Sequence, residues 1–168
     1  YPLPPSLGRF PIEHTEDHTS GLPSRWAEHG GVLLPMYQSE ALWINFSGGY
    51  PCAIKIATGK INAVTGKQWT NHLVKKPQDY LVVPDQPWLD GYCVQKGLIR
   101  QFVAMPLGDG YTAEEQLTGK AEHGGLQIVV YPMKRVHYEE MMKGQSHRNH
   151  KDLCFSVHEM SAPSEMGL

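Results

Sequence analysis

Between residues 31 and 134, apolar side chains recur at every second position in short runs, and each run stops at Gly, Pro, Asp, Asn or Ser. A period of two is the signature of strands whose side chains alternate between two faces. The rhythm predicts strands over Val32 to Tyr37, Ala41 to Phe46, Cys52 to Ala57, Lys60 to Val64, Tyr80 to Val83, Gly97 to Met105 and Gly125 to Tyr131. Gln38-Ser39-Glu40 predicts a hairpin between the first two, and Thr58-Gly59 one between the next two. Links this short are too brief for parallel crossovers, which need a dozen residues or more. The expected fold is therefore α+β and mainly antiparallel β, a sandwich or a partly open barrel, with one or two short helices.

Helical signals are brief. Ser24 could cap a turn of helix over Pro23 to His29, ended by Gly30-Gly31. Thr112 followed by Glu115 is a capping-box spacing, which predicts a helix over Ala113 to Leu117 closed by Gly119. The first 24 residues hold five prolines and read as an extended arm. The organisation expected is an arm and short helix over 1–30, a β-rich core over 31–134 and a polar extension over 135–168. Within that extension, Val136 to Lys143 could form a short helix stopped by Gly144, and Leu153 to Val157 an edge strand.

Composition narrows the function classes. A chain of 168 residues fits one domain, and 17 Gly with 13 Pro favour turns over long helices. A formal charge of −2 offers no basic field for nucleic acid or an anionic membrane, so neither is expected as a partner. No apolar run approaches the ~20 residues of a membrane span. Three cysteines, Cys52, Cys93 and Cys154, stand at wide spacing without a paired knuckle, which reads most simply as a reducing, cytoplasmic setting, with one disulfide plus a free thiol as the alternative. The chain opens at Tyr1 without Met and looks trimmed, which leaves secretion open.

The polar residues set among apolar ones are the candidate ligand contacts. They are Trp88, Asp90, Arg100 and Gln101. Alternation puts Ile99, Gln101 and Val103 on one face and Leu98, Arg100 and Phe102 on the other. A buried Arg100 would need a partner, with Asp90 or Glu115 the candidates; a structural salt bridge or a wet outer face is the plainer reading, and an anion or amide contact in a concave sheet the functional one. Trp88 and Trp43 read as core plugs, whereas Trp26 and Trp69 read as exposed. His147, His150 and His158, together with Cys154, have spacings that could surround a metal ion, although they match no closed zinc signature. The common nucleophile, phosphate-loop and dinucleotide motifs are absent, so the sequence assigns neither a catalytic class nor a cofactor.

One stretch also resembles a known family. Pro87-Trp88-Leu89-Asp90-Gly91 is followed by Ile99-Arg100-Gln101-Phe102-Val103-Ala104-Met105-Pro106-Leu107-Gly108 and then Gly110-Tyr111-Thr112. With Leu117-Thr118-Gly119, Gly124-Gly125-Leu126-Gln127 and Leu33 to Gln38, these residues resemble a widespread microbial family of uncharacterised proteins found in bacteria and fungi. The resemblance covers about residues 3 to 134. It implies no activity, but it does imply that the chain is a domain or fragment of something longer.

The function expected is a non-catalytic β-rich binding or structural module that takes a protein or glycan partner or associates with itself. A hydrolase or transferase sited near Trp88, Asp90 and Arg100, with His123 converging on them, is the alternative. Metal binding through the C-terminal histidines is a third reading.

Overall fold

The computed structural model describes residues 7–46, 48–95 and 98–144. In chain order its elements are β1 (Glu13–His14), a 3-10 turn (Thr15–Gly21), α1 (Ser24–His29), β2 (Val32–Leu33), β3 (Ala41–Leu42) and β4 (Ile44–Asn45). β5 (Cys52–Thr58), β6 (Ile61–Asn62), β7 (Leu81–Val83), β8 (Trp88–Leu89), β9 (Gly91–Gln95) and β10 (Leu98–Val103) follow. α2 (Ala113–Thr118) and β11 (Leu126–Pro132) come next, and a helix occupies 135–144. Every strand pairing among the described residues is antiparallel. The architecture is α+β with β dominant, as expected, and its sheets remain separate without closing into a barrel.

β5 is the spine. β11 pairs with it along its whole length, from Leu126↔Thr58 to Pro132↔Cys52. The opposite edge of β5 is shared by β7 at Cys52 to Ile54 and β6 at Ala57 and Thr58. The β5–β6 hairpin turns through Gly59 and Lys60, one residue later than expected. Both have positive φ, 53° and 62°, the backbone hand of a tight primed turn that follows the twist of its strands.

A second sheet has the order β3-β10-β9. Gly91 faces Gln101 there, and any Cβ at Gly91 would run into the backbone of Arg100. Only glycine permits that approach. The two sheets meet in one apolar core made of Ile54 and Ile56 from β5, Leu81 and Val83 from β7, Ala63, and Phe102 from β10. Leu42, Ile44, Leu89, Tyr92 and Leu126 pack around its margin.

Two expectations about local structure need correcting. Val32 to Tyr37 and Ala41 to Phe46 do not form a hairpin. Val32–Leu33 pairs instead with Glu13–His14 of the N-terminal arm, and Ala41–Leu42 pairs with β10. Pro35 lacks an N–H and breaks the first run. The Ser39 N–H then donates to the Ala104 carbonyl over 2.8 Å, and the Ala104 N–H donates to the Glu40 carbonyl over 2.8 Å, which draws this segment onto β10. In α1, Ser24 lies inside the helix and Pro23 holds the cap position without a side-chain bond.

Other signals hold. Thr112 and Glu115 form the reciprocal capping box, and Gly119 closes α2 in the left-handed conformation with φ 72°. A helix runs over 135–144, up to the end of the described residues, and is anchored by the Tyr50–Tyr138 ring contact, with centroids 4.5 Å apart. No helix among the described residues is long and apolar enough to cross a membrane.

Candidate functional site

The four residues singled out by the sequence lie close together along the chain fold but do not share one face. β9 and β10 pair in the register Gln101↔Gly91 and Arg100↔Tyr92, and the Phe102 N–H donates to the Asp90 carbonyl over 2.8 Å. Facing residues in a sheet project to the same side, so Asp90, Tyr92, Arg100 and Phe102 share one face and Gln101 points to the other. Arg100 is exposed, so the condition under which it would need a buried partner is not met. Among the described residues no ion pair joins it to Asp90 or Glu115. Gln101 is exposed between Ile99 and Val103, which are also exposed at 52% and 46%, so this is a wet outer face.

Trp88 is not the core plug expected of it. It sits opposite Asn45 on β4 and is 36% exposed. Asp90 has the one unusual feature of the group: its Oδ1 is buried and has no hydrogen-bond partner. Beside it, burial pushes the Tyr92 phenol far above its ordinary range, and the ring packs edge-on against Phe102 at 5.0 Å. That phenol keeps its proton near neutral pH and cannot act as a base there. His123 lies in the loop after α2 and is exposed, and no hydrogen bond or ion pair joins it to Asp90 or Arg100.

Sequence reading missed a buried charge. Lys55, in the middle of β5, is fully buried. Its Nζ lies 2.7 Å from each of four oxygens: Asp79 Oδ2, the Thr70 carbonyl, Thr70 Oγ1 and the His72 carbonyl. Trp69 covers the ammonium at 5.2 Å from ring centroid to Nζ, with Lys60 5.8 Å from the same centroid. Asp79 uses its other oxygen to accept from the Val74 N–H, and its carbonyl accepts from Asn62. An ammonium with all three donors engaged, and acceptors likewise filled, has neither a lone pair nor a free proton site for chemistry. This group pins the loop between β6 and β7 over β5. The available signal was Ala53, Lys55 and Ala57 at alternate positions, since two small residues leave room for a folded lysine stem.

A second cradle follows α2. Glu114 is buried, and its carboxylate accepts from the backbone N–H groups of Glu122, His123 and Gly124, the last at 2.7 Å. Burial pushes this carboxyl up, but the N–H groups of Gly124, His123 and Glu122 outweigh it and, with the nearby His123 ring, hold it below the usual range. Glu115 is lowered too, mainly by the Thr112 hydroxyl and then by the Gly110 N–H. Both carboxylates are spent on their own loops.

The remaining feature is the outer edge of β11, and backbone parity defines it. The Gly59 N–H donates to the Gly125 carbonyl over 3.0 Å, and the Met133 N–H donates to the Pro51 carbonyl over 2.9 Å. With the register of β11 on β5, hydrogen-bonded pairs therefore fall at Gln127, Val129 and Tyr131. The N–H and C=O groups of Leu126, Ile128 and Val130 point outward, where no described strand pairs with them. Ile128 and Val130 are 47% and 53% exposed although they lie on the same face as buried Ile56 and Ile54. The cover over the core stops at β5 and leaves β11 as an apolar ledge.

Among the described residues no group of His, Cys, Asp or Glu is arranged to hold a metal ion. His147, His150 and His158, with Cys154, lie outside the described residues. His18 pairs with Glu13. Compared with known proteins, the chain matches no family model, no curated protein and no solved structure.

Proposed function

We propose that this chain is a non-catalytic β-rich binding module whose working surface is the open edge of β11. The observation that carries the reading is the coincidence of outward-facing backbone groups at Leu126, Ile128 and Val130 with exposed apolar side chains at the last two. An extended polypeptide laid along this edge would complete the ladder through its main chain and cover the ledge with alternate side chains. Edge strands are ordinarily blunted by a charge, a proline or a bulge. Leu126 to Tyr131 contains none of these, and Pro132 stands only at the end. The inward-turned polar groups of the molecule, at Lys55, Asp79 and Glu114, are already satisfied by their own surroundings.

Uncharged extended peptides, the segment 126–132 among them, test the reading when titrated into the full chain while backbone amide signals are followed. Saturable shifts at Leu126, Ile128 and Val130 are expected. Binding that leaves these three amides unmoved, or no binding at all, would remove the proposal. The kinship implied by the PWLDG and RQFVAMPLG stretches stands beside this reading as a separate proposal and adds no ligand to it.

A further inference from the structure

We infer that the partner of the β11 edge is a second copy of this chain, docked antiparallel across a two-fold axis through Ile128. The inference rests on the reading of that edge as a binding surface and adds the identity and register of its occupant.

The outward donors fix the register. They lie at Leu126, Ile128 and Val130, while Pro132 offers no N–H and the chain turns away at Gly125, where φ is 57°. This usable set is symmetric about Ile128. Placing Ile128 opposite its own copy sets Leu126 of each chain opposite Val130 of the other. Every outward N–H then meets a carbonyl, and Pro132 stays outside the ladder. A slip by two residues in one direction would set Pro132 opposite Leu126 and leave the Leu126 carbonyl facing a proline, without a donor inside the ladder. A slip the other way would bring in the turn.

Side chains support the same arrangement. Facing residues project to one side of a continuous sheet, so the apolar ledges of both copies would join over the axis and cover each other. The segment Leu126–Pro132 carries no charge, so two copies brought edge to edge meet no like-charge repulsion. An isologous contact of this kind closes after two chains and does not propagate.

Sedimentation equilibrium of the full chain tests the inference. A monomer–dimer equilibrium is expected, and Ile128→Lys should abolish the dimer while circular dichroism shows an unchanged fold. Leu117→Lys, on the surface of α2 where Leu117 is 62% exposed, should leave dimerisation intact. In a mixed-labelled dimer, Leu126 methyl groups should contact Val130 methyl groups of the other copy. A chain that stays monomeric at all concentrations, a dimer that survives Ile128→Lys, or intermolecular contacts in another register would overturn the inference. If the chain is monomeric but uncharged peptides still shift the three amides, the second copy is ruled out while the binding edge stands. If neither happens, both readings fail.

Discussion

Lys55 Nζ lies 2.7 Å from Asp79 Oδ2 in the interior, and both residues belong to a network that no solvent reaches on the lysine side. The pair joins the central strand to the loop between β6 and β7. Removing one member leaves the other buried with its charge uncompensated, a loss of about 3–5 kcal/mol. Lys55→Ala is therefore expected to lower unfolding stability by that amount in chemical denaturation. Replacing both members with apolar residues should recover much of it. A single substitution with no measurable effect would show that the network is not structural.

Acid should destabilise the loop after α2. The folded state holds the Glu114 carboxyl below its ordinary value because its deprotonated form accepts three backbone N–H groups. A depressed folded pKa gives stability that is present above the unfolded value, roughly 4.3, and lost as pH falls through the folded one. Glu114→Gln puts an amide donor among donors, and at neutral pH should cost about 1–3 kcal/mol. Its stability should also depend less on pH below that value. An unchanged acid limb of the stability curve would contradict the cradle.

Gly59 and Glu114 report on the same region from the other side. A Cβ built at Gly59 would fall 2.5 Å from both Glu114 Cβ and Oε2, and Gly59 has φ 53°. Gly59→Ala is expected to cost roughly 1–3 kcal/mol through backbone strain alone, with collision added. A thermal midpoint equal to that of the parent would show that the turn and α2 are not in contact.

Asp90 should behave in the opposite sense. Its Oδ1 is buried without a donor, and an unpartnered buried acceptor is destabilising by about 1–3 kcal/mol. Asp90→Asn, with no charge to desolvate, is expected to raise stability by about 1 kcal/mol. A fall in stability would mean that the carboxylate is held by a partner after all.

How much of this could be read in advance follows from what alternation encodes. β5, β10 and β11 were legible because β-branched runs end at glycine or proline, and α2 because Thr112, Glu115 and Gly119 mark both its ends. Strand partners were not legible. Nothing local says that Val32–Leu33 will choose Glu13–His14 over the next strand, since that choice depends on where β10 lies. Burial of Lys55 was hidden too, because the alternation of Ile54-Lys55-Ile56 suggests one wet face, yet a loop from residues 69 to 79 covers it. Exposure of Trp88 was misjudged for the converse reason: apolar neighbours along the chain do not guarantee a neighbour above the sheet. The β11 edge was visible as a strand, but its openness belongs to topology.

Amide hydrogen exchange along β11 tests the central claim most directly. At low concentration the amides of Gln127, Val129 and Tyr131 should be protected, whereas those of Leu126, Ile128 and Val130 should exchange quickly. Raising the concentration should slow the second set. Equal protection at all six positions in dilute solution would contradict an open edge.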